Sequence, residues 1–461
     1  MNLDLDRFFA ACNPSKTLNM GSSEDRKYYI DFATVRSEKV IDKLKRTITR
    51  LSPNQPTCQL FTGHIGCGKS TELSRLEVEL KDAGFHVVYF QVTDDLDVAD
   101  VDITDILLAI AHQVSESLQK SQIRLQPQGF KSFLKNIANV LDIDISAEAN
   151  VPGIGTVKAS QEGVEFSLPA EIAKITVKAK NSPQVRSRLR QHVEPQTNQI
   201  LRLINEEIID VATEQLKEGG KKGLVVIVDN LDRVQNKITA ASSKPLDEYL
   251  FVDRGEDLRQ INCHLVYTLP LSLIFSNARE PLKNRLGNGN SPIVLPMVPV
   301  QLRDGTDHPE GMALLRQMVL ARAFPNVTKE KRLNLVTDLF DNLDTLNRLC
   351  RINGGHVRHL MGMLYGCIQE EDPPISRSVL ENVIRKERDS LLAAIDEEEW
   401  ELLFQVVKEQ RVKGDLEYQT LLQTLFVFEY HDERGIWFNL NPLLFETDKY
   451  KLWKQDRSPS H

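Results

Sequence analysis

The chain has 461 residues, 26% of them charged and 41% hydrophobic, with a formal net charge of −8. That length exceeds one ordinary core and predicts about two to four domains. The acidic balance argues against a protein coated overall in nucleic acid, though it leaves room for a local basic face. No apolar run approaches a membrane span, and Asp4 and Asp6 spoil a signal-peptide reading. Six scattered cysteines without metal-ligand spacing predict reduced thiols in a cytoplasmic protein.

Residues 1–25 are polar and weakly patterned and read as an arm. Residues 28–32 read as a short strand or an ordered lead-in. Val40, Ile41, Leu44, Ile48 and Leu51 make one helical face over 38–51, which Ser52, Pro53 and Pro56 break. Residues 58–62 read as a buried strand. It runs into Gly63-His64-Ile65-Gly66-Cys67-Gly68-Lys69-Ser70, which fits the phosphate-binding pattern G-x-x-x-x-G-K-[ST]. A helix over 70–83 follows, so strand, Gly-rich loop and helix agree. Glycines let the backbone turn and aim several N–H groups into one concavity. Lys69 adds a point charge for the outer phosphates, the Ser70 hydroxyl can ligate Mg²⁺, and Thr71 continues a helix whose N-terminus favours anions. Cys67 reads as a small spacer. A nucleoside triphosphate is the expected ligand.

Residues 86–92 form a second buried strand. Asp94, Asp95 and Asp97 at its end read as turn or cap residues, with a metal cluster as the alternative. A helix over 103–119 follows. Residues 120–195 differ. Period-two alternation in 141–145, 164–168 and 175–179 predicts an inserted antiparallel hairpin or small sheet. The basic run Lys174, Lys178, Lys180, Arg186, Arg188 and Arg190 reads as a solvated face, or as a surface for nucleic acid or an acidic partner. No aromatic residues interleave for base stacking, which favours the first.

A helix over 197–217 returns to the core, and Gly219-Gly220 stops it. The aliphatic run 224–229 reads as a strand buried on both faces. Asp229 at its carboxyl end, in a chain with a P-loop, stands at the Walker B position that holds Mg²⁺. Strands over 261–269, with Thr268 near the end, and over 292–295 complete five. The expected fold is α/β: a five-stranded parallel P-loop NTPase sheet with helices on both faces and a β-hairpin insertion. Residues 301–392 read as a helical lid, turning at Asn353-Gly354-Gly355. Two helices over 398–408 and 416–425 and a hairpin over 427–440, turning at 431–435, read as a small winged-helix-like domain. The tail from Lys454 reads as loose. The expected domains are 1–50 (arm and helix), 51–300 (core, insertion about 120–195), 301–392 (lid) and 393–461 (winged-helix-like).

With both Walker elements, the bundle and the terminal hairpin, the chain resembles the AAA+/STAND side of the P-loop ATPases over roughly residues 28–452. Asp229-Asn230-Leu231-Asp232-Arg233 is similar to the Walker B of the related KAP-type NTPases. Gly354-Gly355-His356-Val357-Arg358-His359-Leu360 is similar to the stretch that carries sensor 2 in replication-initiator and STAND ATPases. The resemblance implies ATP on the loop from Gly63 to Thr71, with Lys69 on the phosphates and Mg²⁺ between Ser70 and Asp229. It gives Arg358 the sensor 2 role toward the γ-phosphate and Thr268 the sensor 1 role.

One position departs. Where these families carry Asp or Glu to orient the attacking water, this chain has Asn230, whose amide holds water but cannot accept a proton. Asp232 is the substitute carboxylate and Glu72 a weaker one, so slow hydrolysis is expected. Arg233 reads as a salt-bridge residue rather than an arginine finger. The resemblance implies an ATP-controlled switch of signalling or anti-phage defence type, a homo-oligomer with protein partners and a separate effector chain, away from membranes. The alternatives are a DNA-transaction ATPase, of replication-initiator or transposition-regulator type, and a non-hydrolysing ATP-binding scaffold. Against DNA, residues 416–425 carry no Lys or Arg, although Lys408, Arg411 and Lys413 lie nearby.

Overall fold

The structure, a computed structural model, describes residues 3–37, 39–123, 125–143, 150–151, 155–156, 168–234, 238 and 244–456. Five parallel strands form the central sheet: β1 Cys58–Thr62, β2 His86–Gln91, β3 Leu224–Asp229, β4 His264–Leu269 and β5 Ile293–Val294. Their order across the sheet is β2-β3-β4-β1-β5. Residue alternation sends each strand's side chains to two cores. Phe61, Val87, Val225, Ile227 and Val266 face the helix Lys69–Asp82. Leu60, Val88, Phe90, Val226, Val228 and Leu265 face the helix Ile103–Lys120. All six residues of β3 are buried, as a strand covered on both faces requires. A parallel sheet places the carboxyl ends of β1, β3 and β4 together, and the functional loops gather there.

The insertion is mostly helical, which corrects the expected small sheet. Residues 175–179 lie within the helix Leu168–Asn181, and Leu141 ends the helix Gln128–Leu141. The period-two window was too narrow. Leu168, Ile172, Ile175 and Ala179 recur at helical spacing and all enter the core. Of the expected hairpin, the described residues hold a two-residue ladder, Asn150–Val151 with Gly155–Thr156. Asp144, Ile145 and residues 164–167 lie outside the described residues, as does Glu38.

The basic run is largely spent inside the molecule. Arg186 donates to the carbonyls of Ala179 and Lys180 and pairs with Asp97 and Asp100. Arg190 pairs with Asp100 and Asp102, and Lys180 donates to the carbonyls of Thr93 and Asp94. Of the aspartates after β2, Asp97 takes part in these contacts by its side chain and Asp94 by its carbonyl, while Asp95 accepts from Gln113 Nε2 at 2.8 Å. The contacts tie the insertion to the end of β2.

Of the expected arm, residues 3–25 are a packed element rather than free chain. Leu5–Ala11 is helical, and Phe8 and Cys12 are fully buried in the lid core with Leu315, Val319 and Met363. Residues 28–32 form an ordered lead-in without a strand. The lid holds the helices Pro309–Ala323, Leu343–Ile352, Val357–Glu370 and Arg377–Leu392, while 329–339 breaks into short turns. Two helices, Glu397–Glu409 and Leu416–Gln423, precede the hairpin β6 Val427–Asp432 and β7 Gly435–Leu440. Its loop is tighter than expected, because Asp432 pairs with Gly435. A short helix, Asp448–Gln455, extends into the tail. The hairpin is exposed at its tip, residues 433–436, and buried along the rest of its inner face. Tyr430 and Trp437 stack at 4.7 Å within the same core as β1 and the helix Lys69–Asp82.

Candidate functional site

β1 hands the chain to the phosphate loop. Gly66 needs to be glycine for two reasons: its φ is 90°, and a Cβ there would lie 2.5 Å from the His356 ring. Gly68 has φ 107° and a Cβ there would meet nothing within 4 Å. The open side of the loop is therefore at Gly68, beside the first turn of Lys69–Asp82, where backbone N–H groups favour an anion.

Lys69 is buried. Its Nζ donates to the carbonyls of Gly63 at 2.7 Å and His64 at 2.8 Å and pairs with Asp232 Oδ2 at 2.8 Å. All three ammonium donors are thus engaged. Burial pulls the lysine pKa down, but Asp232 and neighbouring groups outweigh it and the net shift is upward. Asp232 Oδ1 is buried with no hydrogen-bond partner.

Asp229 is fully buried at the tip of β3. Tyr89 OH donates to its Oδ2 at 2.9 Å, the Asn230 N–H donates to its Oδ1 at 2.7 Å, and the nearby Ser70 hydroxyl favours its ionised form. Burial first, then Asp232, push its carboxyl above the usual carboxylate range. A hydroxyl oxygen and a carboxylate oxygen brought together at a buried point fit a hard divalent ion.

The remaining sequence candidates divide. Arg358 joins the site: its N–H donates to the Gly66 carbonyl at 3.1 Å, and its side chain lines the cleft with Asp232 and Arg233. Burial, then Arg233, lowers its pKa. Ile65, Cys67, Ser70 and Thr71 line the same cleft, while Gly63 and His64 line a second cavity behind the loop. Asn230 sits at φ 67°, and its Nδ2 donates to Gln91 Oε1 and Thr93 Oγ1, each at 3.1 Å. Its amide nitrogen is occupied by the end of β2. Thr268 stands back from the cleft. Its Oγ1 accepts the Leu231 N–H at 3.0 Å and holds the turn after Asp229. Glu72 accepts from Tyr29 OH at 3.0 Å and lies 3.7 Å from Arg75, tying the loop helix to the lead-in. Arg233 lines both cavities rather than serving one face.

Sequence reasoning missed four contributors. Arg36 Nη2 donates to the Cys67 carbonyl at 2.7 Å, from a segment with no motif of its own. Tyr89 reaches Asp229 because β2 pairs with β3 in a register that sets Gln91 beside Asp229. Period-two alternation along β2 could have found it. Residues 13–18 form one wall of the cleft. The fourth is the hairpin. The Glu429 N–H donates to His64 Nε2 at 3.0 Å, and Phe428 packs between His64 and His356 with centroids 5.8 and 5.9 Å away. His356 Nε2 in turn bonds the Ile65 carbonyl at 2.7 Å, and Tyr430 OH donates to the Gly354 carbonyl at 2.7 Å. Burial holds both imidazoles low, His356 at about 3 and His64 well below its ordinary value, so both are neutral.

The KAP family P-loop domain matches residues 37–242, and the chain is similar to that family over this stretch. No curated protein matches the chain. Among solved structures it is similar to Cdc6p from Pyrobaculum aerophilum, at 13% identity over 97% of this chain and 98% of that one, TM-score 0.37. It is also similar to the Aeropyrum pernix ORC1 protein in complex with DNA, at 12% identity over 97% and 98%, TM-score 0.36. A third is the Aeropyrum pernix ORC2 protein in its ADPNP–ADP complexes, at 11% identity over 90% and 94%, TM-score 0.36. Among the described residues no helix is long and apolar enough to cross a membrane.

Proposed function

We propose that this protein is an ATP-controlled switch with slow turnover, in which the phosphates report to the lid and to the C-terminal hairpin through the loop itself. One observation supports it above the rest: both elements bond the phosphate loop directly, the lid through His356 on Ile65 and the hairpin through Glu429 on His64. A change in loop geometry is felt by both without an intermediary. A ligand shifts such an arrangement only if it binds one form better.

In this reading the loop from Gly63 to Thr71 cradles the phosphates and Lys69 meets the outer ones. Ser70 and Asp229 hold Mg²⁺, which neutralises phosphate charge. Asp232 is the acid beside Lys69 and orients or deprotonates water in place of the missing residue at Asn230. Arg358 follows the γ-phosphate from the lid, and Thr268 braces the turn. The second cavity, about 430 Å³, lies between this turn and Leu422 and Gln423 of the C-terminal module. Gln423 Nε2 donates to Ser272 Oγ at 2.9 Å, so the helix Leu416–Gln423 lies against the core. Release of the module exposes that face to a second copy or to an effector chain, which suits the signalling or anti-phage defence role that the resemblance suggests.

The test is binding and mass measurement on the full chain. ATP·Mg²⁺ should bind wild type and change its assembly mass. Lys69→Ala should lose both. Tight ATP binding by Lys69→Ala would overturn the site, and an unchanged mass with ATP bound would overturn the switch.

A further inference from the structure

The cleft does not end at the phosphate loop. The same cleft is lined by the lead-in residues Tyr29 and Ile30, by the lid residues Met318, Arg322, Val357 and Met361, and by residues 13–18. A nucleotide anchored by phosphates at one end puts its base at the other. Ile30, Met318 and Met361 give that end apolar walls, which suit a flat ring.

Arg322 is the anomaly there. It is 6% exposed, and its Nε and Nη1 are buried without a hydrogen-bond partner. Its guanidinium lies 5.2 Å from the Tyr28 ring centroid, within cation–π range. The acid that faces it, Asp25, is already engaged by Lys16 at 2.9 Å and by the Asn19 N–H at 2.9 Å. The other groups facing it are Cys12, a thiol that burial pushes up to about 12, and Tyr28. Burying charged donors without acceptors is costly. An arginine kept only for structure would be paired.

We propose that Arg322 is the base-reading residue of this pocket, and that it recognises the acceptor edge of a purine nucleotide. The inference rests on the nucleotide reading above and adds specificity to it. A guanidinium offers donors and no acceptor, so its partner has to present acceptors. Guanine offers O6 and N7 side by side. Adenine offers single ring nitrogens, with a donor amino group beside N7. Arg322 therefore contributes to affinity through the base and not through the phosphates.

The experiment compares wild type and Arg322→Met, both full length, for binding of ATP, GTP and inorganic tripolyphosphate with Mg²⁺. The expected result is that Arg322→Met loses roughly tenfold or more for the preferred purine nucleotide and nothing for tripolyphosphate. A greater loss for GTP assigns the O6/N7 edge, and a greater loss for ATP assigns a single ring nitrogen. Equal losses for nucleotide and tripolyphosphate, or no loss at all, overturn the proposal. Thermal unfolding of the unliganded proteins is a second readout. Removing an unsatisfied buried cation should leave the variant at least as stable, and a clear loss of stability makes the arginine structural and overturns the inference. If wild type binds no triphosphate of any kind, the nucleotide reading falls first and this one with it.

Discussion

The substitution Asp232→Asn tests the physics of the site most directly, because it should tighten nucleotide binding. Lys69 has three donors, and Gly63 O, His64 O and Asp232 Oδ2 take all of them. An incoming phosphate has to displace one. The two carbonyls belong to the loop that forms the cradle, so the carboxylate is the partner that yields. At 2.8 Å, with an effective dielectric of about 20, the gross attraction is roughly 6 kcal/mol. Both side chains are nearly inaccessible, 4% and 5% exposed, so solvent screens little of it. Asparagine keeps an acceptor but loses the charge, and the competition falls by about 1–1.5 kcal/mol, the difference between a charge-assisted and a neutral hydrogen bond. The triphosphate dissociation constant should drop roughly five- to tenfold, while turnover falls because the acid is gone. Without ligand the variant should be less stable, since Lys69 is left buried beside a neutral partner. Isothermal titration with ATP·Mg²⁺ reads the first effect and phosphate release the second. Binding weakened tenfold or more would refute the reasoning, for it would mean that Asp232 holds the cation or shapes the loop rather than standing in for phosphate.

Three other outcomes are expected. His64 and His356 are neutral in the fold and take up protons on unfolding, so their stability is present above about pH 6.5 and is lost as pH falls below it. The loss is about 2 kcal/mol per histidine between pH 6.5 and 5. His356→Asn should remove one proton from that slope in urea unfolding at the two pH values, and an unaltered slope would show that His356 does not titrate this way. All six cysteines are buried free thiols, and burial pushes Cys58 and Cys350 up to about 12. A thiol reagent at pH 8 should therefore label the native protein far more slowly than the unfolded one, and rapid labelling of the native chain would contradict the packing. Phe428→Ala removes the ring between His64 and His356 and should cost about 3–5 kcal/mol of core packing. Hydrogen exchange in β6 and β7 should rise most, and exchange that rises only in the lid would show that the hairpin is held elsewhere.

The sequence and the structure agree where one residue's chemistry decides the geometry. A run of β-branched residues such as 225–228 has no comfortable place except a covered strand, and Gly66, Gly68, Lys69 and Ser70 at fixed spacing leave one loop geometry open. Those elements are local, and they are where sequence reading located the sheet and the loop. The missed contributors are set by packing between distant segments. Arg36 reaches Cys67 across 31 residues, Tyr89 reaches Asp229 across 140, and Glu429 reaches His64 across 365. No pattern inside residues 427–440 says which surface the hairpin will cover, because an alternating strand records that one face is buried and not what buries it. The same limit explains the insertion. Ile175, Val177 and Ala179 satisfy period two, but Leu168 and Ile172 complete a helical stripe, and the helix it builds finds Ile103–Lys120 to pack against. What the fold adds to the loop is its attachments. A phosphate loop alone holds an anion, whereas one bonded on its far side to both His356 and the hairpin can be a point where binding energy turns into movement.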